Sequence, residues 1–207
     1  MKMSHLPRLL MSLLLAVAAG TATAAKPASD LHPQVLLKTS LGDITVELDA
    51  EHAPLSVANF LVYVKEGHYD GTIFHRVIPG FVAQGGGYDA KYVERPTRGP
   101  IKLESGNGLS NAHGTLAMAR EGAPNTATAQ FFFNLVDNTR LDGPAGDKQP
   151  QTGYAVFGKV VAGMDVMDHM AEQATGRGGP FPSDVPQTSI VLLKAKLLPR
   201  AKAGASS

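Results

Sequence analysis

Apolar and polar residues alternate where the folded part of the chain begins. In 43–48, Ile44, Val46 and Leu48 alternate with Thr45 and Glu47, the period of a strand with one buried face. The run before it, 34–39, reads Gln-Val-Leu-Leu-Lys-Thr and reaches it through Leu41-Gly42, so the pair predicts a hairpin. The period then changes. Pro54 opens a run in which Val57, Phe60, Leu61 and Val64 stand at i, i+3, i+4 and i+7, and Gly67 stops it. This predicts a helix with proline in its first turn, where the missing N–H costs nothing. A second helix is predicted over 163–174, with Val166, Met167 and Met170 on one face. Short strands are predicted at 73–78, 81–84, 114–119, 130–135, 155–161 and 188–197. Many short strands, Gly-rich turns and only two helices indicate a mainly β fold, either a closed antiparallel barrel or a sandwich. An outer-membrane pore does not fit. Its strands need about ten residues with an apolar outer face, and amphipathic helices would have nowhere to bury.

The first residues follow a different logic. Lys2 and Arg8 form a positive start, 9–19 is apolar apart from Ser12, and Ala22-Thr23-Ala24 is an A-x-A cleavage site. This predicts a secretory signal peptide at 1–24 rather than a membrane span. A flexible linker at 25–32, one domain at 33–199 and a disordered tail at 200–207 are expected to follow. Cleavage removes Lys2 and Arg8, lowering Lys+Arg from 19 to 17 against 18 acids, a net charge of −1. Such a domain has no broad electrostatic footprint for nucleic acid or anionic lipid. There are no cysteines, which excludes disulfides, thiol catalysis and cysteine metal sites.

The most informative stretch is 74–86, Phe-His-Arg-Val-Ile-Pro-Gly-Phe-Val-Ala-Gln-Gly-Gly. It sets one cation, Arg76, and one amide, Gln84, among apolar neighbours. His75, Val77 and Pro79 share one parity, and Arg76, Ile78 and Gly80 the other. A permanent cation on an apolar strand is costly without a partner or an opening. Arg76 therefore either ends a buried ion pair or lines a pocket. Other chemistries fit poorly. His68, His75 and His113 lack compact ligand spacing, so no metal is expected. Gly85-Gly86-Gly87 and Gly176-Arg177-Gly178-Gly179 are not followed by Lys-Ser/Thr, so no phosphate cradle is expected either.

The stretch resembles the cyclophilin family of peptidyl-prolyl cis-trans isomerases, and further blocks follow in that family's order. They are Gly114-Thr115-Leu116-Ala117-Met118-Ala119, Pro124-Asn125-Thr126, Gln130-Phe131-Phe132-Phe133, Leu141-Asp142-Gly143 and Val156-Phe157-Gly158-Lys159-Val160. The short segment between Gly87 and Gly114, with Gly153-Tyr154-Ala155-Val156-Phe157-Gly158, is similar to the bacterial periplasmic branch. The resemblance implies a closed eight-stranded antiparallel barrel capped by two α-helices. It implies rotation of X–Pro bonds without cofactor or metal during the folding of exported proteins in the periplasm. Its partners would be proline-containing, unfolded or partly folded polypeptides, and the protein a monomer.

The resemblance also assigns roles. Arg76, Phe81, Gln84 and Phe132 would be the catalytic group. Val82, Met118, Leu141 and Tyr154 would add to the proline pocket, with Arg120 and the backbone of Ala119 beside it. His75 would orient the guanidinium or its neighbouring strand. Taken singly, Phe81, Phe132 and Leu141 fit a core better than a pocket, Gln84 a cap or turn and Tyr154 a barrel rim; it is their joint occurrence in the family's order that points to the pocket. Two departures stand out. Arg140 precedes Leu141-Asp142 where the family carries Trp or Phe, which predicts weak binding of the family's macrocyclic inhibitor cyclosporin. Arg120-Glu121 replaces the common Asn-Ala. The loop 143–152 is also longer than in cytosolic members. A proline-peptide-binding chaperone without turnover is the alternative reading, and a subunit of an envelope assembly a third. Joint retention of Arg76, Phe81, Gln84 and Phe132 favours the enzyme.

Overall fold

The computed structural model describes residues 31–199. The predicted signal peptide, most of the linker and the C-terminal tail lie outside these residues. The strands β1 (Gln34–Thr39) and β2 (Gly42–Leu48) form the predicted hairpin, with Val35 opposite Val46 and Leu37 opposite Ile44. These four and Leu48 are buried. The Thr39 hydroxyl fixes the turn, donating to the Gly42 carbonyl at 2.7 Å and accepting from the Leu41 N–H at 3.1 Å.

Helix α1 (Pro54–Lys65) buries Val57, Phe60 and Val64 as the spacing predicts; Tyr63 joins them and Leu61 is only partly buried. No neighbouring side chain caps it. The free N–H groups of Leu55 and Ser56 instead donate to the Glu104 carboxylate, at 2.9 and 2.8 Å, satisfying orphan donors of the first turn. The chain continues through β3 (Thr72–Ile73), β4 (Arg76–Ile78), β5 (Val82–Gly85), β6 (Tyr88–Asp89), β7 (Thr115–Met118), β8 (Phe131–Asn134) and β9 (Val156–Ala162). Then come α2 (Met164–Ala171), a hairpin of β10 (Thr175–Gly178) and β11 (Phe181–Pro186), and β12 (Val191–Leu197). In α2, Met167 and Met170 are buried and Val166 packs against the core.

The sheet departs from the expected ring of eight. Ten strands form one curled antiparallel ladder, β4-β5-β8-β7-β9-β2-β1-β12-β3-β6, open between β4 and β6, and β10 with β11 forms a separate pair. The single strand expected at 73–78 is the reason. Its first residues pair with β12 and its last with β5, at opposite ends of the order. Phe74 and Val77 both enter the inner core. Residues three apart cannot do so on an unbroken strand, so the chain turns at Phe74-His75. Around that core the rings of Phe60, Tyr69, Phe131 and Phe157 meet with centroids 5.1–5.5 Å apart, a spacing at which aromatic pairs attract. Helix α1 packs on β12 and α2 on β2. Among the described residues no helix is long and apolar enough to cross a membrane.

Candidate active site

The three consecutive phenylalanines of β8 divide by parity. Phe131 and Phe133 belong to the inner core, whereas Phe132 joins Val82, Ala117, Ala119 and Val156 in a second, outer cluster. Register aligns that outer face across four strands: Arg76 stands opposite Gln84, Gln84 opposite Phe132, and Phe132 opposite Ala117. Neighbouring strands lie about 4.8 Å apart, so a cation, an amide and an aromatic ring form one row.

This row borders a cleft of about 150 Å³. Phe81, Val82 and Leu141 wall it with Phe132, while Ala119, Arg120 and Tyr154 complete its lining. A depression of about 590 Å³ lies elsewhere, between His32, Leu48 and Lys159, and none of the expected site residues lines it. Of the two readings of Arg76, the cleft is the one realised: among the described residues it forms no ion pair. Gln84 is held by its neighbour, its Nε2 donating to Gln130 Oε1 at 2.9 Å. The Gln130 carbonyl accepts the Ala119 N–H at 3.0 Å, so Gln130 ties two cleft residues together. Tyr154 meets Phe132 edge-on, with centroids 5.5 Å apart.

Two expected residues are placed differently. Met118 is 1% exposed and packs in the inner core. It stands opposite Phe131, an inward residue, while Ala117 opposite Phe132 takes the cleft side. No hydrogen bond joins His75 to Arg76; of its two expected roles only a contact with the neighbouring strand remains, a hydrogen bond with the backbone of Ile73 in β3. His75 packs between Tyr88 and Phe181, with centroids at 4.8 and 5.1 Å. The ring is 4% exposed and its Nδ1 is buried with no partner. Burial, then the positive charge of Arg76, push its pKa down to about 4, so it is neutral near pH 7. The other histidines named in the sequence lie apart, His68 Nε2 at 3.1 Å from the Gly86 carbonyl and His113 Nε2 at 3.0 Å from Asp168.

The two departures border the cleft. The Arg120 guanidinium lies 4.8 Å from the Tyr154 ring centre, and Arg140 lies at the same distance from Phe81, within cation–π range. Arg120 Nε donates to the Gly153 carbonyl at 2.9 Å. Gly153 has φ +79°, and a Cβ there would come within 2.4 Å of the Gly143 nitrogen; it closes the neck of the 143–152 loop.

A polar network behind Phe81 and Leu141 escaped the sequence reading. Asn138 Nδ2 donates to the Phe81 carbonyl and to Asn134 Oδ1, both at 2.9 Å. Asn134 Nδ2 donates to Asn111 Oδ1 at 3.2 Å, and Asn111 donates its backbone N–H and Nδ2 to Asp142 Oδ1 at 2.7 and 2.8 Å. Burial alone would raise the Asp142 pKa, but the donors of Asn111 and Ser110 outweigh it and hold the carboxyl below its ordinary value. The network fixes both ends of a 3-10 turn, Thr139–Leu141, that presents Arg140 and Leu141. The available signal was Asn134 inside an apolar strand, since buried amides require partners.

The pattern described as cyclophilin type peptidyl-prolyl cis-trans isomerase/CLD matches residues 34–197. Peptidyl-prolyl cis-trans isomerase A of Dickeya dadantii is 49% identical over 164 residues, 79% of this chain and 84% of that protein. Peptidyl-prolyl cis-trans isomerase B of Escherichia coli is 49% identical over 158 residues, 76% of this chain and 95% of the relative. The crystal structure of a cyclophilin type peptidyl-prolyl cis-trans isomerase from Cryptosporidium parvum superposes with a TM-score of 0.66 at 25% identity. It is matched over 82% of this chain and 99% of that one. With Arg76, Gln84 and Phe132 aligned along an aromatic cleft, with the family pattern matched over 34–197, and with relatives 49% identical over 84–95% of their length, the chain belongs to the cyclophilin-type peptidyl-prolyl cis-trans isomerase family.

Proposed function

We propose that the cleft beside Arg76 is where X–Pro bonds of exported polypeptides are rotated, without cofactor, metal or covalent intermediate. The observation that carries this is the row Arg76–Gln84–Phe132, with the cation facing a cleft walled on one side by Phe81, Val82, Phe132 and Leu141 and, among the described residues, paired with no carboxylate. The barrier to rotation is about 18–20 kcal/mol because resonance gives the C–N bond double-bond character. In the twisted transition state the imide nitrogen becomes pyramidal and gains a lone pair. A fixed N–H donor aimed at it binds that state better than either planar ground state. Arg76 is charged at every relevant pH, so no proton switching is needed. A charge-assisted hydrogen bond supplies about 1.5–3 kcal/mol, whereas even a 10⁶-fold acceleration requires about 8 kcal/mol. The remainder falls to the walls. Phe132, Phe81, Val82 and Leu141 hold the proline ring in a dry pocket, and apolar surroundings favour the twisted form because its dipole is smaller. The Gln84 amide and the Ala119 carbonyl oxygen would hold the substrate main chain while its neighbouring carbonyl turns. The Tyr154 hydroxyl stands ready as a further contact.

The finer architectural reading belongs with this function. The segment 72–78 is bonded at one end to β12 and at the other to β5, which supports a barrel closed through that segment and acting as a rigid seat for Arg76. The A-x-A site after the apolar run at 9–19 supports export to the periplasm, where the protein would act as a monomer on folding polypeptides. Exchange NMR on an Ala-Pro peptide tests the activity: the purified protein should broaden the cis and trans signals at substoichiometric concentration. Binding without exchange would identify a chaperone instead. Mass spectrometry of periplasmic material should find a mature N-terminus at Ala25 or Lys26; an intact Met1 would contradict export.

A further inference from the structure

Three guanidinium groups surround the one cleft, and no carboxylate neutralises any of them. Arg76 and Arg120 line it, and Arg140 covers the outer face of Phe81. Among the described residues none of the three forms an ion pair. Arg120 is pinned by carbonyls, those of Gly153 at 2.9 Å and Glu121 at 2.8 Å, which orient its charge without cancelling it. No acid lines the cleft. The nearest candidates are committed or displaced. Asp142 accepts from Ser110 and Asn111, and Glu94 and Glu121 line an adjoining hollow that shares Gln84, Ala119 and Arg120 with the cleft but do not line the cleft itself. The cleft mouth is thus locally cationic on a chain of nearly balanced charge, with 19 Lys+Arg against 18 Asp+Glu. Apolar walls of low polarisability strengthen the field of such a mouth.

We propose that this isomerase selects proline sites flanked by an acidic side chain, with Arg140 and Arg120 as the residues that read it. The proposal rests on the cleft being the site of rotation. Arg76 is committed to the imide, so it adds field but not choice. Arg140 is exposed and Arg120 half-buried, so both can meet a residue just outside the proline pocket. A carboxylate there gains a charge-assisted donor, from the guanidinium of Arg140 or from the Nη2 of Arg120, whose other guanidinium nitrogens are held by backbone carbonyls, and a lysine meets repulsion.

The test is kcat/KM from exchange NMR, which needs no coupling protease. It uses short peptides carrying Glu, Gln or Lys either directly before or directly after the proline. In dilute buffer the Glu peptide should exceed its Gln counterpart at one of the two positions by about fivefold, the equivalent of about 1 kcal/mol. The Lys peptide should fall below both. Raising the salt from about 0.01 M to 1 M shrinks the Debye length from about 30 Å to 3 Å, so the Glu:Gln ratio should fall towards one. It should also fall in the Arg120→Gln, Arg140→Gln double variant. A ratio near one at both positions in dilute buffer overturns the proposal, as does a ratio that survives in the double variant. Those results would leave the assignment of the cleft standing. Arg76→Ala turning over the neutral peptide as fast as the parent would remove the assignment and the proposal with it.

Discussion

Phe131, Phe132 and Phe133 are identical side chains at consecutive positions, yet two hold the core and one walls the cleft. Strand parity alone decides between them. Parity also explains Met118, which the family pattern places in the pocket and the register turns inward, because residue 117 has the phase of Phe132. Site residues on strands were thus legible once their phase was counted. Arg140 was legible as a departure, but its seat on Phe81 was not, since 59 positions separate the two. That seat sharpens an expectation. A macrocycle crossing the rim must displace a guanidinium from Phe81, and it finds no indole N–H or broad apolar ring in exchange. Losing such an anchor typically costs about 2 kcal/mol, roughly thirtyfold. The protein should therefore resist cyclosporin, and Arg140→Trp should regain part of the sensitivity in an inhibition titration. Inhibition of the unaltered protein at nanomolar cyclosporin would show that the arginine yields without cost.

Among the elements, the hairpin of β1 and β2 and both helices could be read from periodicity, because each buries one stripe of its own residues. The Thr139–Leu141 turn could not, because its supports arrive from Asn111, Asn134 and Asp142 rather than from its own sequence. The cap of α1 is similar, supplied by Glu104 from 49 residues away. The split of 73–78 into β3 and β4 depends on which edge each half meets, which no local pattern encodes. The turn's dependence on distant amides is measurable. Asn138→Ala leaves Asn134 Oδ1, in a fully buried residue, without that donor, and frees one bond to the Phe81 carbonyl. An unsatisfied buried group costs about 1–3 kcal/mol, so urea unfolding should register a loss of that size. Val136→Ala, on the exposed surface of the same loop, should change stability by less than about 0.5 kcal/mol. Equal effects of the two substitutions would mean the network adds nothing.

For the molecule as a whole, burying a histidine ring, with a cation beside it, leaves a mark on stability. His75 titrates near pH 6.5 when unfolded and at about 4 in the fold. Between those values the unfolded chain binds the proton and the folded one does not. Stability is therefore unaffected above about pH 6.5, falls as the pH drops towards 4, and loses nothing further from this group below that. The total is roughly 3 kcal/mol. His75→Phe keeps the packing on Tyr88 and Phe181 and removes the titration, so its urea midpoint should change less than the parent's between pH 6.5 and 4.5. Parallel curves would assign the acid sensitivity to other groups. The same stretch of curled sheet that buries His75 with its Nδ1 unpartnered presents Arg76 to the cleft, and the central claim is that this one cation makes the cleft a catalyst. The most direct measurement is kcat/KM for X–Pro isomerisation of Arg76→Ala beside the parent, with thermal unfolding recorded on both. The expected result is a loss of at least about tenfold, the equivalent of 1.4 kcal/mol, at an unchanged melting temperature; parent-like activity in a folded Arg76→Ala protein would contradict a catalytic role for the cation.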